Sequence, residues 1–337
     1  MRPLLFHHDA FAGHDTGHGH PERPERLAAA LAGARGWGGE VEERTAPLAA
    51  VDDLYGVHDP AYVASIRRFC EAGGGSLDPD TVAVAGSWAA ALRAAGAGLA
   101  ALEAIDAGEA TVAFLAIRPP GHHALGARAM GFCLFNNIAV TADRIRSGGD
   151  RVAIIDWDVH HGNGTQDIFY ADGDVLYISI HQFPFYPGTG WIDETGRGPG
   201  RGRTINIPFP AGTSGDAYAA AFDRVVVPLL AEFDPARILV SAGYDAHADD
   251  PLAGMLLGAS DYQRMAASLA ACGLPVIYFL EGGYDLPGVE ASVAATLRGA
   301  SGQPTPPAPP ASPRRAHQTV DLVVEEIAEH WQGVQEP

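Results

Sequence analysis

The segment Arg151-Val-Ala-Ile-Ile-Asp-Trp-Asp-Val-His-His-Gly-Asn163 decides the fold. Its first half is an apolar, β-branched run, typical of a strand buried on both faces of a parallel sheet. Its second half places Asp156, Asp158 and His160 at every other position. In an extended segment such residues share one face, so this strand is predicted to deliver two carboxylates and an imidazole to one side.

The same kind of run recurs along the chain and alternates with Ala/Leu-rich stretches of helical character. The predicted strands are Thr111–Ile117, Arg151–Trp157, Val175–Ile180, Arg237–Ser241 and Pro275–Leu280. The predicted helices between them include Ala85–Ala107, Ala217–Phe233 and Asp261–Cys272. This alternation indicates βαβ units and an α/β fold with a mostly parallel central sheet.

Polar residues cluster just after these strands. They are Arg118-Pro-Pro-Gly-His-His123, Asp156 to Asn163, His181, Gly243-Tyr-Asp245 and Glu281-Gly-Gly-Tyr284. Ligands of open α/β sheets bind outside the C-terminal ends of the strands. We therefore expect these side chains to converge on one edge of one sheet.

The sequence predicts one catalytic domain. Residues 1–300 form that domain, 301–315 form a Pro-rich connector, and 316–337 form a C-terminal helix that docks back on it, with apolar residues at helical spacing from Val320 to Trp331. No second domain boundary, secretory leader or membrane-spanning apolar run is predicted.

Composition narrows the class of protein. The net charge is −19, and all 22 basic residues are arginine, which argues against nucleic-acid binding. The negative charge either attracts cationic ligands or serves solubility alone. Three cysteines are too few for a disulfide framework, so we expect a reducing, cytoplasmic setting and no membrane association.

Asp158, His160 and Asp245 are the candidate metal ligands. Three protein ligands leave zinc an open position for water, as in catalytic sites. The alternative is a strand end that caps a helix or pairs with arginine. We favour the metal because clustered carboxylates at a strand end need a counter-charge.

Two further motifs suit amide hydrolysis. His122 and His123 follow a rigid Pro-Pro-Gly connection and could supply a general base and acid, while Tyr284 could donate a hydrogen bond to a substrate carbonyl. Taken alone, each of these motifs would be interpreted as ordinary loop residues.

Two groups of residues receive less specific roles. Gly131 to Asn137 offers aromatic wall material, and Cys133 within it is interpreted as a packing residue rather than a catalytic nucleophile. The histidines between His7 and His20 lie in a Gly-rich loop at irregular spacing, so we favour loop and rim roles over a second zinc site.

Taken together, the motifs resemble those of the histone deacetylase family, including bacterial histone deacetylase-like amidohydrolases and acetylpolyamine amidohydrolases. The resemblance rests on Arg118 to Ala124, Gly131 to Asn137, Asp156 to Gln166, Pro187-Gly-Thr-Gly190, Ser241 to Asp245 and Glu281 to Tyr284. It implies an arginase/deacetylase-like three-layer α/β fold, one zinc ion bound by Asp158, His160 and Asp245, and hydrolysis of N-acetyl or short acyl amides by a metal-activated water.

The resemblance also assigns roles to individual residues. His123 is implied as general base and acid, His122 as its electrostatic partner paired to Asp156, and Tyr284 as the group that polarises the carbonyl. The remaining implied sites are the tunnel residues Gly131, Phe132 and Tyr186, the acetate-channel residue Arg26, and a K⁺ or Na⁺ site at Asp156, Asp158, His160, Ser179 and Ile180.

Two positions bear on subfamily and substrate. Asn163, the implied partner of His123, resembles the class II branch. Leu252 matches the gatekeeper position and favours acyl-lysine or less polar amides, while the negative net charge keeps acetylpolyamines as the alternative.

More distant alternatives are an arginase-like manganese ureohydrolase, which needs additional bridging carboxylates, and a silent binding module, which would have lost Tyr284 or a metal ligand. A homo-oligomer is left open.

Overall fold

A computed structural model describes residues 2–305 and 310–334. Within them, eight strands form one sheet in which every neighbouring pair is parallel, in the order β2-β1-β5-β10-β9-β6-β7-β8. The short strands β3 and β4 form a separate antiparallel pair. In chain order the strands are β1 (Leu4–His7), β2 (Glu42–Thr45), β3 (Gly74–Ser76), β4 (Val82–Val84), β5 (Val112–Leu115), β6 (Val152–Asp156), β7 (Val175–Gln182), β8 (Thr204–Phe209), β9 (Arg237–Ala242) and β10 (Val276–Leu280).

Helices surround this sheet and complete the predicted three-layer α/β architecture. They are α1 (Glu25–Gly36), α2 (Pro60–Glu71), α3 (Ser87–Asp106), α4 (Asn137–Ser147), α5 (Asn163–Phe169), α6 (Gly215–Ala221), α7 (Val227–Phe233), α8 (Ala259–Ala271), α9 (Leu286–Ala300) and α10 (Arg314–Ile327). Helix α3 packs against α4, and helix α9 packs against both α1 and α8.

The sheet prediction is confirmed, and all five predicted strands are present within a few residues of their expected bounds. Strand β6 is buried along its whole length, as the uninterrupted apolar run predicts. Strands β1, β2 and β8 were not predicted. The edge strand β2 has the sequence Glu-Glu-Arg-Thr and little burial, so no apolar pattern marks it.

The predicted helix Ala217–Phe233 is divided in the structure. A π-helical turn at Phe222–Val226 separates α6 from α7. Pro228 lies in the first turn of α7 and has no N–H to donate into the preceding turn. A π turn is a common way to accommodate such a break.

Helix α3 corrects the expectation that no segment is long and apolar enough to cross a membrane. Its 20 residues meet that criterion by length and hydropathy, but 72% of the most apolar window is buried inside the protein. Its Ala- and Gly-rich faces pack against α4 and the sheet, as in a core helix.

Helix α10 packs on β8 and α6 through an apolar face. The buried residues of that face are Ala316, Val320, Val323, Val324 and Ile327. The predicted 301–315 connector includes 306–309, and the predicted 316–337 helix includes 335–337; these residues lie outside the described part of the chain.

Candidate active site

The strand order brings the polar strand ends to one edge of the sheet. Strands β5, β10, β9 and β6 are consecutive neighbours and point the same way. The residues that follow them therefore meet although they are far apart in sequence, as shown by the hydrogen bond between Gly121 and Glu281, which are 160 positions apart.

Asp158, His160 and Asp245 come together as a buried group. The Nδ1 atom of His160 lies 3.1 Å from Oδ1 of Asp158 and 3.1 Å from Oδ2 of Asp245. One potential ligand atom from each residue lies within 4.8 Å of the others. Zinc ligands about 2.0–2.2 Å from the ion at tetrahedral angles lie about 3.3–3.6 Å apart, close to the spacing seen.

The electrostatics of this group fit a bound cation. Burial opposes the charged form of His160, but hydrogen bonds to Asp158 and Asp245 outweigh it and raise its pKa to about 10. Burial, and then the charge of Asp158, raise the pKa of Asp245. Two buried carboxylates that share one imidazole form a donor set for a divalent metal, which would replace the proton.

The two adjacent histidines lie in contrasting environments. Nδ1 of His122 lies 3.0 Å from Oδ2 of Asp156. Burial lowers the pKa of His122, but the charges of Asp156 and Asp158 outweigh it and raise it to about 10. The pKa of His123 is held well below its usual range, by burial first and then by the charges of His122 and His160. His122 is therefore a cation and His123 a neutral imidazole at neutral pH.

Asn163 sets the tautomer of His123. Nδ1 of His123 lies 2.8 Å from the Asn163 side-chain oxygen, and the Asn163 amide nitrogen faces the sulfur of Met130 at 3.4 Å. An amide oxygen only accepts, so His123 donates from Nδ1 and keeps a lone pair at Nε2. A neutral imidazole with a free Nε2 is suited to accept a proton.

Tyr284 stands on the turn that follows β10. Gly282 lies so close to Asp245 and Asp158 that a Cβ there would overlap both carboxylates, and its N–H donates to Asp158 over 2.7 Å. Burial is the largest cause that raises the pKa of Tyr284 well above its usual value. Its hydroxyl is therefore protonated and able to donate a hydrogen bond.

Arg26 is fully buried beside Tyr284. Its guanidinium carbon lies 4.9 Å from the centre of the Tyr284 ring, and its Nε donates to the Gly283 carbonyl over 2.6 Å. It also donates to the Glu281 carbonyl and pairs with Glu22. These contacts hold the turn that carries Tyr284, and the acetate-channel role remains a prediction.

A cavity of about 210 Å³ opens above these groups. The predicted wall residues Gly131, Phe132, Tyr186 and Leu252 all line it, together with Asp80, Pro120, His122, His123, His160, Gly282 and Tyr284. Gly131 has φ +57°, and a Cβ there would overlap the ring of His123. Leu252 is 37% exposed, as expected at the mouth.

Four residues of this site were missed by sequence reasoning. Asp80 lines the cavity from the β3–β4 loop, and Phe185 stacks on the His160 ring with centroids 5.1 Å apart. Glu281 accepts hydrogen bonds from the N–H groups of Gly121 and His122 at 2.6 and 3.2 Å. Asp250 accepts one from the N–H of Tyr284. Glu281 and Asp250 lie inside quoted motifs, but only the fold gives their partners.

The residues predicted to bind a monovalent cation lie around the end of β6. Asp156 and Ser179 are register partners on β6 and β7, Ile180 follows on β7, and Asp158 and His160 follow Asp156. The hydroxyl of Ser179 lies 2.9 Å from Nδ1 of His181. Binding of the ion remains a prediction.

The N-terminal histidines have separate partners. His14 is buried beside Ser87 and Glu22, and the His20 ring packs on Phe132 at 4.8 Å between centroids.

Cys133 is buried, and burial raises the pKa of its thiol. Another possible ligand group, unanticipated from sequence, consists of His247, Asp249 and Asp285 and is partly exposed.

Residues 20–300 match the profile of the histone deacetylase domain. The chain belongs to the histone deacetylase family. The chain therefore belongs to a family of deacetylases and amidohydrolases, and the motif resemblance described above is confirmed.

Individual relatives support this assignment. The chain is 43% identical over 279 residues to a histone deacetylase-like amidohydrolase of Pseudomonas aeruginosa, covering 79% of this chain and 73% of that protein. It is 41% identical over 291 residues to a probable deacetylase of Archaeoglobus fulgidus, covering 83% and 81%. The crystal structure of the HDA15 HD domain superposes with a TM-score of 0.92 at 35% identity, covering 98% of this histone deacetylase-family chain and 96% of the other.

Proposed function

We propose that this histone deacetylase-family enzyme is a zinc-dependent deacylase of acetyl-lysine or related acylated amines. The observation that carries the proposal is the joint placement of Asp158, His160 and Asp245 below a narrow cavity whose sides present His123 and Tyr284. Metal ligands, a neutral base and a phenol donor around one small space are the parts that amide hydrolysis needs.

Asp158, His160 and Asp245 would hold the zinc. When bound, the ion would supply a Lewis acid for the acyl carbonyl and would lower the pKa of a water molecule. A monovalent cation at Asp156, Asp158, His160, Ser179 and Ile180 belongs to the same proposal.

His123 moves the proton. Its free Nε2 accepts a proton from the attacking water and then gives that proton to the leaving amine nitrogen. Charged His122, held by Asp156, contributes a fixed positive charge beside the carbonyl oxygen as that oxygen becomes negative. Tyr284 donates a hydrogen bond from its hydroxyl to the same oxygen.

The walls of the cavity select an extended acyl-amine chain. Phe132 and Tyr186 line the cavity and keep water from it, and Leu252 adds an apolar contact at the mouth of the cavity. This lining suits the methylene chain of an acylated lysine.

Acetylpolyamine hydrolysis is the second candidate. Asp80 supplies a carboxyl group to the lining of the cavity. An acid at the mouth could pair with a second amine of a polyamine. The relatives described above support no ureohydrolase activity.

A substrate panel on the zinc-loaded protein separates these candidates. We would compare kcat/KM for an acetyl-lysine peptide, N-acetylputrescine and N8-acetylspermidine. Preference for the peptide supports the first candidate, and preference for the polyamines supports the second. Inactivity of the zinc-loaded protein on all three, with longer acyl-lysine peptides also inert, would contradict the proposed function.

A further inference from the structure

The loop that carries Leu252 has little structure of its own. This rim loop, residues 250–256, leads from β9 toward α8 and contains no helix or strand. Within it, the N–H of Leu252 donates to Asp250 over 3.0 Å. Its position at the mouth of the cavity therefore depends on neighbouring segments.

A second loop supports the rim loop. This support loop, residues 211–214, leads from β8 to α6. The N–H of Gly212 donates to the Gly254 carbonyl over 2.7 Å, and the N–H of Leu256 donates to the Thr213 carbonyl over 2.9 Å. Two main-chain hydrogen bonds thus fix the far side of the rim loop to the support loop.

The support loop is in turn held by the C-terminal segment, residues 310–327. The N–H of Ser214 donates to the Ser312 hydroxyl over 3.0 Å, and the Ser214 hydroxyl donates to the Pro310 carbonyl over 2.6 Å. The Arg315 guanidinium donates to the Ala211 carbonyl over 3.0 Å. Asp216 accepts from the N–H of Ser312 over 2.8 Å and fixes that residue in place.

These polar contacts are distinct from the packing that attaches α10 to the domain. The apolar face of α10 is buried against β8 and α6 and does not require Ser312 or Arg315. The segment also begins ten residues after position 300, where the match to the histone deacetylase domain ends. It therefore lies outside the matched range 20–300 and contacts the loop that supports the substrate entrance.

We propose that the C-terminal segment is a specificity-determining element that positions Leu252 through the support loop and the rim loop. This inference rests on the proposed function, since it concerns how the mouth of the same cavity receives the part of the substrate that flanks the acylated amine. A substrate that extends past the mouth of the cavity contacts the rim loop, whereas a small acetylated amine lies within the cavity.

The test is the double variant Ser312→Ala/Arg315→Ala in the full chain, assayed with an acetyl-lysine peptide and with N-acetylputrescine. We expect KM for the peptide to rise about fivefold to tenfold, because the peptide must then order a rim loop that has lost support worth about one net hydrogen bond. We expect kcat for both substrates and KM for N-acetylputrescine to remain close to the wild-type values. Amide hydrogen exchange over residues 252–256 should become faster.

Asp321→Asn is the matched control. It removes the 2.6 Å ion pair with Arg224, which attaches the same helix to the domain but does not contact the support loop. We expect it to leave both the peptide KM and exchange in the rim loop unchanged.

The proposal is overturned if exchange over residues 252–256 is unchanged in the double variant, if both substrates change equally, or if Asp321→Asn has the same effect. Hydrogen exchange needs no turnover, so inactivity of the wild-type protein on both substrates would count against the proposed function alone, and the exchange comparison would still decide whether the segment holds the rim loop.

Discussion

The carboxylate of Asp250 joins the rim of the cavity to Tyr284. One of its oxygens accepts from the N–H of Tyr284 over 2.7 Å, and the other accepts from the N–H of Leu252 over 3.0 Å. Because Asp250 is buried, with 6% of its surface exposed, these bonds have little competition from water. A single side chain thus holds both the Tyr284 turn and the Leu252 main chain.

Asp250→Asn should lower kcat by about one to two orders of magnitude. The amide has one acceptor oxygen instead of two, so either Leu252 or Tyr284 loses its partner, and a displacement of about 1 Å at a reacting group costs about a hundredfold. Asp249→Asn, which changes the same charge at the exposed neighbour, is the control for steady-state kinetics. Equal kinetics for the two variants would contradict the positioning role.

Tyr284→Phe should lower kcat by about two to three orders of magnitude, the usual cost of losing one donor to a developing oxyanion. Bound metal, measured after dialysis, should be unchanged because Tyr284 is outside the ligand group. Tyr186→Phe keeps the ring that lines the cavity and should retain turnover. Full activity in Tyr284→Phe would remove this hydroxyl from the mechanism.

Asn163→Asp should move the acidic limb of the pH profile of kcat/KM to higher pH. A carboxylate in place of the amide favours the protonated imidazole and raises the pKa of His123 by about one to three units. Since His123 acts as a base only when neutral, activity is then lost at a higher pH as the pH falls. Asp167→Asn, an exposed change on the same helix, should leave the profile in place. An unshifted limb in Asn163→Asp would argue against His123 as the base.

Asp245→Asn should abolish stoichiometric zinc binding, because it leaves one carboxylate and one imidazole in the buried group. Metal content after dialysis is the measurement. Asp249→Asn, in the partly exposed group with His247 and Asp285, should retain one zinc per chain. The ligand assignment would be wrong if the metal remained in the first variant and disappeared in the second.

Metal affinity should rise with pH. In the metal-free protein the pKa of His160 is raised to about 10, so this residue carries a proton at pH 7 that the metal must displace. Between pH 7 and 9 the affinity should therefore increase about tenfold per pH unit, with release of one proton. Calorimetric titration in buffers of different ionisation enthalpy measures that proton. No proton release at pH 7 would show that His160 is already neutral.

The sequence by itself determined the sheet class and indicated the candidate reacting groups. Apolar runs such as Val152–Asp156 indicate buried parallel strands because only such strands are covered on both faces, and the residues after them identify the edge that carries chemistry. The spacing of Asp158 and His160 suggested a shared ligand group because alternate residues of an extended segment face one way.

The tertiary structure alone decided how those groups are held and charged. Glu281 and Asp250 look like ordinary motif acids in sequence, yet one holds the histidine loop and the other the Tyr284 turn across separations of 160 and 34 residues. The opposite pKa shifts of His122 and His123 follow from burial and from the positions of distant carboxylates. Hydrogen bonds and charge interactions act through space, so a one-dimensional pattern specifies them only when both partners are near in sequence.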